Sequence, residues 1–127
     1  MKRIKKSFGH ALDGCIHAMQ TERNLQIFVA IYVIVLIAGA CAQLLTWEWL
    51  ALLLAGTGFM AIELLNTAIE RLADVLDDQK KRMGRSHYVM LKATKDVGAA
   101  AALIGLVAVI LVVGIVFWPY MNIYILH

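Results

Sequence analysis

The chain has 127 residues, of which 61% are hydrophobic and 17% charged. Its mean hydropathy of +0.74 lies above the range of soluble domains, which excludes an ordinary water-soluble fold and indicates a membrane protein. The length suits one domain, and Cys15 and Cys41 lack the spacing of a metal site or a disulfide framework.

Residues 1–21 carry an amphipathic pattern and no cleavable signal sequence. Polar side chains such as Lys6, Asp13, His17 and Gln20 take one helical face, and the apolar side chains recur on the other, at Ile4, Phe8, Ala11, Leu12, Cys15, Ile16 and Met19. Such a helix suits the inner leaflet of a membrane, where its lysines meet anionic headgroups. The alternative is a helix packed beneath a cytoplasmic loop.

Three segments are long and apolar enough to span a bilayer, which takes about 20 residues in a helix. They are residues 25–45, 49–70 and 97–118, the last of which we expect Pro119 to end. The short linker "TWEW" predicts that the first two spans form a tight antiparallel pair. We therefore expect an all-α integral membrane protein.

The twelve lysines and arginines lie either in residues 2–23 or in residues 71–95. By the positive-inside rule, the N-terminus and a 71–96 loop are cytoplasmic and the C-terminus lies outside. An aromatic belt at the outer interface is then expected from Trp47, Trp49, Trp118, Tyr120 and Tyr124.

An acidic stripe runs along the second span. At about 100° per residue, one helical face carries Glu63, Asn66, Glu70 and Asp74. Burying an ionised carboxylate in hydrocarbon costs at least ~2.5 kcal/mol, so we expect these groups to face partners, a metal ion or a substrate. The simpler interpretation places Asp74 among headgroups and pairs Glu70 with Arg71 or Lys95.

Further charged residues lie at the cytoplasmic ends of the other spans. Glu22 precedes the first span, and Lys95 and Asp96 precede the third, so all of these groups are expected to converge near Glu70 and Asp74. Facing carboxylates suit Mg²⁺, a lysine suits a polyphosphate, and the deeper Glu63 suits a general base. Together they predict phosphoryl transfer to a lipid alcohol.

The same residues carry a resemblance to a known family. The motif "ELLNTAIE" at 63–70 is followed by Asp74 and by "ATKDVGAAA" at 93–101, and Gly14 precedes Glu22 by eight residues. With these motifs and three spans in this order, the chain resembles the small prokaryotic membrane lipid kinases, the diacylglycerol kinase and undecaprenol kinase family. The likeness covers nearly the whole chain.

The resemblance implies a homotrimer of the bacterial inner membrane, with active sites shared between subunits at the cytoplasmic interface. It implies that Glu63 is the catalytic base and Asn66 a positioning residue. Glu22 and Glu70 look like Mg²⁺ ligands. Lys95 looks like the phosphate contact for ATP, with Asp74 and Asp96 on the nucleotide side.

The segment "TERN" followed by "LQIF" is similar to the undecaprenol branch of the family. The diacylglycerol branch usually carries more polar residues at the positions of Gln26, Ile27 and Phe28, so undecaprenol is the expected lipid and diacylglycerol the alternative. The connection between Asp74 and Lys95 is longer than usual in the family. Nucleotide contacts from it, including any by His87, are therefore not carried over.

Two rival functions remain. Glu63 could bind a proton or cation in a small transporter subunit, or the stripe could specify helix packing in a scaffold. "GTGFMA" at 56–61 matches a dinucleotide fingerprint, but that motif needs a strand before it, so helix packing by Gly56 and Gly58 is expected. The basic run "KKRMGR" favours anionic lipid or ATP, and no nucleic-acid partner is expected.

Overall fold

The structure is a computed structural model that describes the backbone of residues 2–80 and 85–125 and the side chains of residues 3–77 and 89–121. Over the described backbone the chain is helical and contains no strand: α1 is Lys2–Thr21, α2 Arg23–Ala42, α3 Thr46–Lys80 and α4 Arg85–Ile125. Of these, α2, α3 and α4 each contain a stretch long and apolar enough to cross a membrane. The expected all-α membrane architecture is confirmed.

The turn between α2 and α3 is shorter than expected and lies earlier in the chain. Gln43 adopts a left-handed conformation, with φ 55°, and the N–H of Leu44 donates to the carbonyl of Gly39 at 3.2 Å. Gly39 is needed here, since a Cβ on it would lie 2.8 Å from a methyl of Leu44. "TWEW", the expected linker, is instead the first turn of α3.

A buried glutamate, Glu48, links the start of α3 to the turn before it and to α4. Glu48 is only 3% exposed, and its Oε2 accepts hydrogen bonds from the Leu45 N–H and the Tyr120 hydroxyl, each at 2.7 Å. The first bond caps α3, because it satisfies a backbone donor that the helix leaves free. The second joins the start of α3 to the end of α4.

Helices α3 and α4 pack along each other, and small residues let them approach. Gly98, Ala102 and Gly105 form the buried face of α4, and a Cβ on Gly105 would lie 3.1 Å from both Ile62 and Phe59. Part of the small-residue run of α4 is therefore used within the chain.

The two glycines of "GTGFMA" differ in their surroundings. Gly56 lies against the ring of Tyr32, with which a Cβ at position 56 would clash, and the Tyr32 hydroxyl donates to the carbonyl of Leu52. The packing role predicted for Gly56 is confirmed. Within the described part of the chain nothing lies within 4 Å of the Cβ position of Gly58, so its packing role stays a prediction.

Two boundaries differ from the sequence prediction. The 71–96 segment is helical where described, since α3 continues to Lys80 and α4 begins at Arg85. Pro119 lies inside α4 and does not end it, although a proline removes one backbone hydrogen bond. The polar 71–80 segment continues α3 because an α-helix makes its own backbone hydrogen bonds in water as in lipid. Residues 81–84 of the long connection, the His87 side chain and the Tyr124 side chain lie outside the described residues.

The N-terminal segment forms helix α1, as predicted. Its large apolar side chains are exposed, including Ile4 at 74% and Phe8 at 66%. Within the described part of the chain, α1 packs against α2 and α3 near its own end and does not contact α4. Its position on the membrane surface stays a prediction.

Candidate active site

One face of α3 presents a row of buried polar side chains. Glu63, Asn66 and Thr67 are 7%, 9% and 6% exposed, and Glu70, one turn further on, is half-buried. Helical spacing brings Glu63, Asn66 and Glu70 onto one surface, as the sequence predicts. Glu63 faces the protein and not the outside of the helix bundle.

This surface is the floor of a cleft between α2 and α4 with a volume of 710 Å³. Asn24, Glu63, Asn66 and Glu70 supply its polar groups toward one end, whereas the other end lies between the apolar Val35 and Val113. From Asn24 to Val35 the wall of α2 is about 16 Å long, at 1.5 Å per residue. The cleft therefore has a carboxylate end and a long hydrocarbon end, the pattern that an amphiphile requires.

Asn66 is oriented by its neighbour on the same helix. Its Nδ2 donates to Oε1 of Glu70 at 3.1 Å. Its Oδ1 is buried and has no hydrogen-bond partner among the described residues. Buried oxygens without a partner are uncommon in proteins, so this atom marks a place where a ligand or a neighbouring group is needed.

Glu22 lies at the break between α1 and α2, where its backbone is extended (φ −98°, ψ 105°). Arg71 on α3 donates from Nη2 to Oε1 of Glu22 at 2.8 Å and also to the hydroxyl of Thr21. The hypothesis that Arg71 pairs with Glu70 is therefore wrong, because its partner is Glu22. The salt bridge holds the Glu22 carboxylate against α3.

The remaining predicted residues line a second, smaller pocket of 240 Å³ between α3 and α4. Lys95 Nζ donates to Oδ1 of Asp74 at 2.7 Å, and Asp96 lies in the same pocket. Glu63 and Glu70 thus line the larger cleft and Asp74, Lys95 and Asp96 the smaller pocket, whereas Glu22 lines neither and is paired with Arg71. Asp74 lies one turn beyond Glu70, and the expected convergence of all these groups at one depth stays a prediction.

A Mg²⁺ ion at this site would need oxygen ligands from the acidic side chains of α2 and α3 and their neighbours. Within the described residues no group of three or more His, Cys, Asp or Glu side chains could hold a metal ion. Mg²⁺, however, is usually held by one or two carboxylates, with substrate phosphates and water completing its shell. Glu22 and Glu70 fit such a pair of oxygen ligands by their chemistry, and Asn66 holds the Glu70 carboxylate through its Nδ2.

The sequence analysis does not assign four of the residues at these sites to the positions that the structure gives them. Asp77 and Lys92 line the smaller pocket, and each lies one helical turn from a predicted residue, which is a usable signal. Asn24, at the polar end of the cleft, lies two residues beyond Glu22. Arg71 gave no local signal for its contact, because Glu22 is 49 positions away.

The amino-acid sequence of the chain is similar to those of known proteins. The sequence profile of the family described as "Prokaryotic diacylglycerol kinase" matches residues 9–117. The chain is 35% identical over 119 residues to the undecaprenol kinase of Bacillus subtilis, covering 94% of this chain and 91% of that protein. It is 32% identical over 113 residues to the diacylglycerol kinase of Synechocystis sp., covering 89% of this chain and 61% of that protein.

Both relatives are kinases, which favours a kinase over the transporter and scaffold alternatives. A kinase of this kind takes its phosphoryl group from ATP and gives it to a lipid. The family match covers most of the chain, and apolar helices accompany a cleft that joins carboxylates to hydrocarbon walls. The chain therefore belongs to the prokaryotic diacylglycerol kinase family and is a membrane lipid kinase.

Proposed function

We propose that this enzyme phosphorylates undecaprenol with ATP at the cytoplasmic interface of the bacterial inner membrane, giving undecaprenyl phosphate and ADP. The observation that carries the proposal is the cleft itself. Its apolar walls suit a long hydrocarbon chain, and Glu63 lies in the same cavity. Diacylglycerol, which would give phosphatidic acid, is the alternative substrate.

Glu63 is proposed to be the catalytic base. Its carboxylate accepts the proton of the lipid hydroxyl while the hydroxyl oxygen bonds to the γ-phosphorus of ATP. The bond from that phosphorus to the β–γ bridging oxygen breaks, and ADP leaves. Chemically, such transfer needs mainly positioning and charge neutralisation, which buried groups on a rigid helix supply well.

Glu22 and Glu70 are proposed to hold Mg²⁺, and Asn66 to orient Glu70 through its 3.1 Å hydrogen bond. The ion would neutralise the negative charge of the phosphates. Lys95 is proposed to contact a phosphate of ATP, with Asp74 and Asp96 on the nucleotide side of the smaller pocket. Since the Lys95–Asp74 pair is partly exposed, exchanging Asp74 for a phosphate costs little.

The preference for undecaprenol is supported by the wall of α2. Ile27 and Phe28 line the cleft, whereas the polar Gln26 turns away and donates from Nε2 to the carbonyl of Met19 at 2.8 Å. Beyond Asn24, at its polar end, this wall is formed by the apolar Ile27, Phe28 and Ile31, which suit a hydrocarbon chain better than the ester groups of a glycerolipid. The relative from Bacillus subtilis, named for undecaprenol, supports the same choice.

A homotrimer with shared active sites is part of the proposal. Glu63 and Glu70 line one cavity of the chain, and Asp74, Lys95 and Asp96 line another, and a neighbouring subunit could complete each of them. Many large apolar side chains are exposed along the spans, such as Ile34 and Ile104, and they must meet lipid or another subunit. The N-terminus is proposed to be cytoplasmic and the C-terminus to lie outside.

The test is phosphorylation of both lipids in parallel by the purified protein in vesicles. We expect undecaprenol to be phosphorylated faster than diacylglycerol, and Glu63→Gln to abolish transfer while ATP still binds. Glu48→Gln alters another buried carboxylate, one that does not line the cleft, and serves as the matched control. Faster turnover of diacylglycerol would replace undecaprenol as the substrate, and near-normal transfer by Glu63→Gln would remove Glu63 as the base.

A further inference from the structure

Asn66 and Gly98 are in unusually close contact where α3 crosses α4. A Cβ placed on Gly98 would lie 2.5 Å from Oδ1 of Asn66, which is too short for any real contact. The Cα–H that a side chain would replace therefore points at this oxygen. A Cα–H group is a weak donor, and Oδ1 has no other hydrogen-bond partner among the described residues.

The amide of Asn66 is thus held between two groups. Its Oδ1 faces the backbone of Gly98, and its Nδ2 donates to Glu70 at 3.1 Å. The opposite orientation would place the amide oxygen against the Glu70 carboxylate, where two acceptors repel. The absence of a side chain at Gly98 therefore fixes the position of the Asn66 amide, and the hydrogen bond from this amide fixes the orientation of the Glu70 carboxylate.

We infer that Gly98 is a positioning residue for the kinase reaction, acting through the Asn66 amide on the Glu70 carboxylate. The inference rests on the proposed function, in which Glu70 is a Mg²⁺ ligand. A methyl group at position 98 displaces the amide, so Glu70 loses the donor that orients it. Metal binding then weakens even though no metal ligand has been changed.

Other glycines of the spans separate this role from simple packing. A Cβ on Gly105 would meet only hydrocarbon, at 3.1 Å from Ile62 and Phe59. A Cβ on Gly58 or Gly114 would meet nothing within 4 Å. Gly105→Ala therefore shows the effect of crowding between α3 and α4 at a place that does not contact Asn66. Gly58→Ala shows the effect of replacing glycine by alanine where there is no crowding.

The experiment combines Gly98→Ala with Asn66→Ala in a double-mutant cycle on the full chain in detergent or vesicles. The affinity for Mn²⁺, a spectroscopic substitute for Mg²⁺, is measured by electron paramagnetic resonance with a non-hydrolysable ATP analogue. Gly98→Ala is expected to weaken Mn²⁺ binding about tenfold, the order expected when a charged group loses a hydrogen bond. The Gly105→Ala and Gly58→Ala variants are expected to bind Mn²⁺ as the wild type does.

The double variant decides the matter, because Asn66→Ala removes the side chain with which the new methyl group collides. We expect its Mn²⁺ affinity to equal that of Asn66→Ala alone, and its melting temperature to exceed that of Gly98→Ala. Recovery of folding in the double variant supports the inference even if Gly98→Ala alone does not fold. Additive losses in affinity, or a double variant that is no more stable than Gly98→Ala, would overturn it.

These readouts keep the two proposals distinguishable. If the wild type phosphorylates neither lipid but the Mn²⁺ and melting cycles are non-additive, the proposed substrate fails and the Gly98–Asn66–Glu70 coupling stands. If the wild type phosphorylates undecaprenol and the cycles are additive, the kinase proposal stands and Gly98 has no positioning role.

Discussion

Arg71 of α3 reaches Glu22, at the junction of α1 and α2, with a distance of 2.8 Å between Nη2 and Oε1. The contact ties the junction of α1 and α2 to α3, at the residue that follows Glu70. Both side chains are partly exposed, so the pair adds little to the free energy of unfolding. The salt bridge matters because it fixes the position of Glu22, a proposed Mg²⁺ ligand.

The first prediction follows from that position. Arg71→Met is expected to raise the Mg²⁺ concentration needed for half-maximal lipid phosphorylation several-fold, because Glu22 is no longer held over α3. The melting temperature should change little, since exposed pairs contribute about 0–1 kcal/mol. Titrating Mg²⁺ in the vesicle assay measures the effect. Arg23→Met removes a neighbouring positive charge and is the control, and an equal shift in both variants would contradict the prediction.

The second prediction concerns the smaller pocket. Lys95→Met is expected to raise the KM for ATP about tenfold or more, while the KM for the lipid stays close to the wild-type value. Asp74→Asn should have a smaller effect on the KM for ATP, because it frees Lys95 to contact phosphate while removing one polar group. Steady-state kinetics with each substrate varied in turn measures both constants. Lys6→Met, on α1, controls for loss of positive charge, and a rise confined to the KM for the lipid would argue against this assignment.

A third prediction tests the hydrocarbon wall of the cleft. Ile27→Gln places a polar group among the apolar side chains of the cleft and is expected to lower the turnover of undecaprenol about tenfold, since burying an unpaired amide costs about 1–3 kcal/mol. Diacylglycerol should lose less, because its ester groups can pair with the new amide. Ile34→Gln places the same amide on the exposed face of α2, outside the cleft, and should affect the turnover of the two lipids to the same extent. Equal losses for the two Gln variants would mean that Ile27 does not contact the lipid.

The fourth prediction concerns stability at the opposite end of the bundle. Tyr120→Phe removes one of the two hydrogen bonds to the buried Glu48 and is expected to lower the free energy of unfolding by about 1 kcal/mol. Kinase activity below the melting temperature should not change, because Glu48 and Tyr120 lie outside the cleft. Thermal unfolding measures the loss, and Trp118→Phe, at an exposed aromatic position, is the control. A loss of activity without a loss of stability would be inconsistent with a purely structural role.

Much of the architecture could be predicted because a bilayer imposes simple rules. Each spanning segment must satisfy its own backbone and be apolar over about 20 residues, so hydropathy located the three spans. Helix ends were predicted less well. Hydropathy reports where a segment leaves the hydrocarbon and not where the helix stops, so the extensions of α3 to Lys80 and of α4 beyond Pro119 were missed.

The sequence by itself determined that Glu63, Asn66 and Glu70 share one face, because side-chain direction within a helix depends only on local spacing. Only the tertiary structure decided which charges pair, since Arg71 meets Glu22 across 49 positions and Lys95 meets Asp74 across 21. It also decided that Gly98 faces the Asn66 amide, because that contact depends on how closely two helices approach. Distances between helices depend on packing among many residues, and no local pattern in the chain encodes them.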